Sequence, residues 1–364
     1  MITAGRNNVA SLTVGQRADL RANQAELPYV LYLAGVPRSG STVLGQRLGS
    51  IPDVTFAGEL SLFWRRFANG ELCSCGQALP RCGFWSAVVS AGFGELTPED
   101  VQKLTRLEWV LRLRQVAGSL LPTRRRTAGP GRLRVIADAR AKLYCSIAEV
   151  AQVTWVVDSG KDPWFGSLLS RLFADNFRTV HIVRDPHGVA FSWSKTVKSD
   201  SEPGYLPHRH PAITAFTWLI QNLVIQLAVQ RLSASYVRVR YEDLAADPEA
   251  IVRDIACSVN IGADRPLNGK PQEGPGRGFH WVAGNPGVRQ SVGSCLEIRL
   301  DEEWRDRLPV VQRWLVTAIC GALSSAYGYP FLHRKGRRLA ARTGPLLSRP
   351  IFDSSQPIHA EAMG

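Results

Sequence analysis

A chain of 364 residues with 45% apolar side chains and ordinary Gly and Pro can bury one large core or two modest ones, which excludes a disordered or fibrous protein. Its 44 Lys and Arg against 31 Asp and Glu give a net charge of +13 and point to an anionic partner. Charge alone does not choose among nucleic acid, an acidic membrane surface and a multiply charged nucleotide. Seven scattered cysteines exclude a dense disulfide scaffold and fit a reducing, cytoplasmic setting.

Met1 to Glu26 is polar and mixed, without the apolar stretch of a secretory signal, and is expected to be a flexible segment. Residues 27–333 are expected to form one α/β domain. Tyr29 to Ala34 is a short run of strand formers ending at Gly35, and Ser41 to Leu48 follows with helical spacing. Val54 to Phe56 is strand-like. Residues 60–121 lack clear strands and read as a helical or loop insertion, with Trp64, Trp85 and Trp109 as core or pocket walls.

Further core strands are expected at Thr154–Val157, Arg178–Val183 and Ser235–Arg240. Each leads into a helix: Pro163–Phe173, His187–Lys198 and Pro248–Val259. Strands alternating with helices predict a parallel sheet covered on both faces. No apolar run approaches the roughly 20 residues of a membrane span, so peripheral contact is the only membrane contact left open. The longest candidate, 212–228, is interrupted by Gln221, Asn222 and Gln226 and reads as a buried helix. Residues 262–292 are rich in Gly, Pro and Asn and read as loop, and Trp304 to Leu323 restores helical periodicity. The basic runs Arg124–Arg126 and Arg334–Arg338 are expected to be solvated, the second in a loosely ordered basic tail over 334–364.

Two segments carry anion chemistry. Gly35-Val-Pro-Arg-Ser-Gly-Ser-Thr42 has the skeleton of a phosphate-binding loop between strand and helix. Consecutive backbone N–H groups at a helix start cradle an anion, and the Thr42 hydroxyl can add a hydrogen bond. Nucleoside triphosphatases carry Lys where this chain has Ser41; here the cation is Arg38, inside the loop. In the second segment Asp185 and Pro186 make a good helix start as N-cap and N1. Arg184 before them and Ser192 two turns on would face one anion.

With these two loops in order, the chain resembles the sulfotransferase superfamily, whose bacterial members include some similar to the carbohydrate and tyrosylprotein types. The resemblance implies a P-loop-containing, Rossmann-like parallel sheet with an insertion after the first βα unit. It implies the donor 3′-phosphoadenosine 5′-phosphosulfate, an acceptor hydroxyl and no required metal. Arg38, Ser39, Gly40, Ser41 and Thr42 would hold the 5′-phosphosulfate, and Arg184 with Ser192 the 3′-phosphate. Tyr241 would lie near the adenine, and Asn285 with Arg289 in a late Gly-Asn-Pro loop would close over the nucleotide. Glu59 matches the family's base, and Lys161 in Asp158-Ser-Gly-Lys161 the lysine at the leaving group, although Gly160 replaces a serine. His181, His187 and His280 rank below Glu59 as bases. The insertion is where the acceptor would be selected, a carbohydrate-like or lipid hydroxyl by resemblance alone.

Cys73-Ser-Cys75-Gly and Cys82 have metal-ligand character, but a structural zinc needs four ligands and the next fifty residues bring no further His or Cys. The sequence therefore assigns no metal. The rival readings are a P-loop kinase or nucleoside triphosphatase, which the missing loop lysine opposes, and a non-catalytic basic binder of nucleotide or nucleic acid. The last would need aromatics among its basic residues, and Arg124–Arg126 has none nearby, so no nucleic acid is expected. Oligomeric state is not legible.

Overall fold

Five runs of branched and aromatic residues pair into one fully parallel sheet, in the order β2-β3-β1-β4-β5. The strands are β1 (Tyr29–Gly35), β2 (Val54–Gly58), β3 (Trp155–Lys161), β4 (Phe177–Val183) and β5 (Ser235–Arg240). The computed structural model of the chain describes residues 27–120, 130–195, 208–262, 280–284 and 300–331. The expectations for 1–26, Arg124–Arg126, the tail, Asn285 and Arg289 lie outside the described residues.

The central strand β1 is apolar along its length because both faces are covered. Val30, Tyr32 and Ala34 point into one core, and Leu31 and Leu33 into the other. The second core is closed by α1 (Ser41–Gly49), through Leu44 and Leu48, and by a helix from late in the chain. The first core receives the whole β2–β3 crossover: α2 (Phe63–Ala68), α3 (Gly83–Phe93), α4 (Pro98–Leu120) and α5 (Pro130–Ala151). The expected insertion is thus helical, and it runs beyond 121 to Ala151.

After β3 comes α6 (Pro163–Phe173), after β4 comes α7 (Pro186–Ser194), and then α8 (Pro211–Val224), which a π turn extends to Leu232. This last segment corrects the expectation of a buried helix. Thr214, Ala215, Trp218 and Asn222 face inward, while Ile213 and Phe216 are each 60% exposed. By length and composition alone, Pro211–Leu232 also satisfies the requirement for a membrane crossing, which the sequence reading denied to every segment.

α9 (Tyr241–Ala246) and α10 (Pro248–Val259) follow β5, and α10 is the late helix over the second core. The helix expected over Trp304–Leu323 is two, α11 (Trp304–Arg307) and α12 (Val310–Ala326), parted at Pro309. Proline bars the helical conformation at Leu308, which is extended. The chain leaves β1 toward one edge of the sheet and β4 toward the other, so a crevice opens at the carboxyl ends of these two neighbours.

Candidate active site

All five strands deliver a polar or aromatic residue to this same edge: Glu59 after β2, Lys161 at the end of β3, Arg38 after β1, Arg184 after β4 and Tyr241 after β5. The loop after β1 turns through left-handed backbone at Arg38 (φ 75°) and Gly40 (φ 88°), and Gly40 is the N-cap of α1. With no side chain at the cap and no acidic residue in the first turn, the first amides of α1 and the buried Ser41 and Thr42 are, among the described residues, open to an anion. Gly40 has a second reason to lack a side chain: a Cβ there would lie 2.5 Å from the Tyr241 ring.

The second loop reaches the first. Asp185 caps α7 by accepting from the His187 N–H at 2.9 Å, and Trp218 Nε1 donates to the Arg184 carbonyl at 3.0 Å. So held, Arg184 donates to the Arg38 carbonyl at 3.0 Å and lies over the Tyr241 ring, 4.6 Å from its centroid. Tyr241 is therefore a wedge between the two loops. Burial and the Arg184 charge pull the Arg38 guanidinium below its usual range, with Glu59 opposing. Ser192 is half-buried on α7 and, among the described residues, makes no hydrogen bond to Arg184.

Glu59 and Lys161, 102 positions apart, form a direct ion pair at the tips of β2 and β3. Lys161 takes left-handed backbone (φ 60°) where the β1–β3 register slips, and this turns its side chain out of the strand's alternation. The Glu59 backbone is fixed from both sides: its N–H donates to Val282 O at 2.8 Å, and the next amide, Leu60, donates to Asp158 Oδ1 at 3.2 Å. Sequence reasoning passed over Asp158 as part of the lysine's segment. It is fully buried, accepts from the Tyr144 hydroxyl, and burial raises its carboxyl to about 6. Fully buried Arg140 donates to Leu60 O at 2.6 Å and pairs with Glu108. A polar residue inside an apolar strand was the signal available for Asp158; Arg140 and Tyr144 had none.

A cavity of about 270 Å³ is lined by residues that follow each member of the ion pair along the chain. Ser61 and Leu62 from beyond Glu59, Trp109 from α4, and Trp164 and Phe165 from α6 line it. Trp64 and Trp85 are fully buried core residues. Of the histidines, His181 is locked in the core between Tyr236 Oη (2.6 Å) and Asn222 Oδ1 (2.7 Å), and burial lowers it to about 3. His187 turns away to Asp185 and Thr317, and His280 joins Cys73 and Cys82.

Behind the second loop Glu242 accepts from the Asp185 N–H (3.1 Å) and from the Tyr329 hydroxyl (2.7 Å). Burial, then the Asp185 charge, raises it from 4.5 to about 7. The native state thus keeps a proton that the unfolded chain releases above the ordinary carboxylate range, so stability falls as pH rises from about 5 to 7 and the loss is complete above that. Such a shift is worth on the order of 3 kcal/mol. Glu242→Gln, whose Oε1 can accept from the Asp185 N–H while its amide donates to the Tyr329 hydroxyl, is expected to flatten this decline in melting temperature measured from pH 5 to 8. An unchanged slope would refute the assignment.

A family model described as "Sulfotransferase family" matches residues 31–263, which span all five strand tips just described. The chain belongs to the sulfotransferase family. Among curated proteins, this sulfotransferase-family chain is 24% identical over 180 residues to mouse carbohydrate sulfotransferase 5, a match that spans 43% of each protein. A solved structure of a sulfotransferase from Alicyclobacillus acidocaldarius aligns over 82% of this chain and 98% of its own, at 13% identity and a TM-score of 0.36.

Proposed function

We propose that this chain moves a sulfuryl group from 3′-phosphoadenosine 5′-phosphosulfate to the hydroxyl of a carbohydrate-like or lipid acceptor, in a reducing, cytoplasmic setting. The α1 amides with Ser39, Ser41 and Thr42 hold the 5′ end of the donor. Arg184 takes the 3′-phosphate, with Ser192 beside it, and Tyr241 borders the adenine. Glu59 accepts the acceptor's proton as the acceptor oxygen bonds to sulfur. The bond from sulfur to the 5′-phosphate oxygen breaks in line, and its electron pair leaves with 3′-phosphoadenosine 5′-phosphate (PAP). Lys161 and Arg38 offset the charge gathering on that oxygen.

The observation that carries the reading is the contact of Arg184 with the Arg38 carbonyl, which sets two cationic anion sites side by side across the β1/β4 crevice. The cavity walled by Trp109, Trp164 and Phe165, which Ser61 and Leu62 enter just beyond Glu59 in the chain, supports an acceptor with an apolar or ring face. Calorimetry without metal is expected to show PAP binding at least ~100-fold tighter than AMP, as a charge-assisted pair with one extra phosphate would give. ATP binding that requires Mg²⁺, with no preference for the 3′-phosphate, would overturn the proposal.

A further inference from the structure

The cysteine run that carried no metal in the sequence acquires its fourth ligand in the fold. His280, 198 positions beyond Cys82, brings its Nδ1 to 3.3 Å from the Cys82 sulfur and 3.7 Å from that of Cys73. Cys75 and Cys82 sulfurs are 3.6 Å apart, and the four donor atoms all lie within 4.8 Å of one another. We infer that Cys73, Cys75, Cys82 and His280 form a structural zinc site.

The geometry fits the ion. Zn–S bonds of ~2.3 Å and Zn–N bonds of ~2.0 Å, arranged tetrahedrally, require edges of roughly 3.8 Å between sulfurs and 3.5 Å between sulfur and nitrogen. The three close edges are already near those lengths. Three soft sulfurs and one imidazole favour zinc over hard cations.

Local structure presents the ligands. Cys73 donates its N–H to Gln77 O at 2.8 Å in a tight hairpin that turns at Gly76 (φ 86°), so Cys73 and Cys75 share its tip. Cys82 sits at the N-cap of α3, and the amides of Cys75 and Trp85 are directed at the sulfurs of Cys73 and Cys82. The His280 ring stacks on Phe84 at 5.2 Å between centroids, which fixes its orientation. Of the three cysteine ligands, Cys73 and Cys82 are buried and Cys75 is exposed. Four protein ligands leave no open position, so the ion is structural and not a Lewis acid for substrate. On binding, each thiol gives up its proton to solvent as its sulfur bonds the metal.

The site also has something to hold. Immediately after His280, Trp281 exchanges hydrogen bonds with Ser74 (2.9 and 3.2 Å), and Val282 donates its N–H to Ala57 O (3.0 Å) and accepts from the Glu59 N–H (2.8 Å). The zinc would therefore clip the 280–284 segment to the hairpin and, through Val282, fix the backbone of Glu59 from outside the sheet.

The test is metal analysis of the full chain produced with zinc and purified under reducing conditions. Mass spectrometry should find about one zinc per chain, and Co²⁺ exchanged into the native protein should show the intense visible bands of a tetrahedral thiolate site. Cys82→Ser and His280→Ala should lose the metal, Cys145→Ser and Cys257→Ser should keep it, and chelation should lower the melting temperature by ~5 °C or more. Should the Cys82 and His280 variants not fold, the cobalt spectrum of the unaltered chain decides alone. A zinc-free reduced protein without a cobalt spectrum overturns the site, as does a Cys75–Cys82 disulfide in place of metal. Neither readout depends on sulfuryl transfer.

Discussion

Changing Glu59 to glutamine is expected to lower the rate of transfer by ~10²–10⁴ while leaving PAP affinity within about twofold, because a general base acts on the acceptor and not on the donor. Glutamine preserves the shape that the Val282 and Asp158 contacts impose on the backbone here, so the loss would be of proton acceptance alone. Lys161→Met should also slow transfer, but for another reason: it withdraws positive charge from the leaving oxygen, so donors with a better leaving group should suffer less. The ion pair between the two makes the distinction necessary, since each change unpairs the other residue. Rates of single turnover with saturating donor, compared with calorimetric affinities, separate the cases. A Glu59→Gln protein that transfers at the original rate would move the base elsewhere. His187 and His181 are poor substitutes, for one is engaged by Asp185 and Thr317 and the other is held in the core.

What the sequence made legible is what short stretches determine. The strand, the Gly40 turn and the start of α1 lie within a dozen residues, and Asp185-Pro186 announces α7 by the chemistry of its own cap. The Pro309 break was equally local and was passed over because the apolar spacing continued on either side. Partnerships across the sheet are different in kind. Nothing around Glu59 tells of Lys161, and nothing near Leu60 tells of Asp158 and Arg140, because these partners stand 80 to 102 positions apart, across a β2–β3 crossover whose helices bring them together only when packed. The zinc ligand set failed for the same reason: a window of fifty residues cannot contain a histidine delivered by a segment added to the far edge of β2. Side-chain exposure on α8 was misread because its apolar residues occupy both faces, and periodicity cannot show which one meets the sheet.

The largest effect on binding is expected from Arg184→Ala, which should abolish the preference for PAP over AMP, a loss of ~10²-fold or more, while AMP itself binds within a few-fold of its original affinity. The residue's present partners explain why the effect is sharp. Arg184 also reaches Asp301, at 3.3 Å to the carboxylate, and Lys195 reaches the same carboxylate at 3.1 Å. Burial would raise the Asp301 carboxyl, yet Arg184 and Lys195 hold it below its ordinary range, so it is a resident anion in the place proposed for the 3′-phosphate. A phosphate entering there must compete with it for two cations. Asp301→Asn should therefore tighten PAP binding, and the gain should shrink as salt is added, because the competition is between charges. The two substitutions act in opposite directions on one site. If Arg184→Ala and Asp301→Asn both leave the ratio of PAP to AMP affinity unchanged, the 3′-phosphate is bound by other residues, and the contact between the two loops is only a strut.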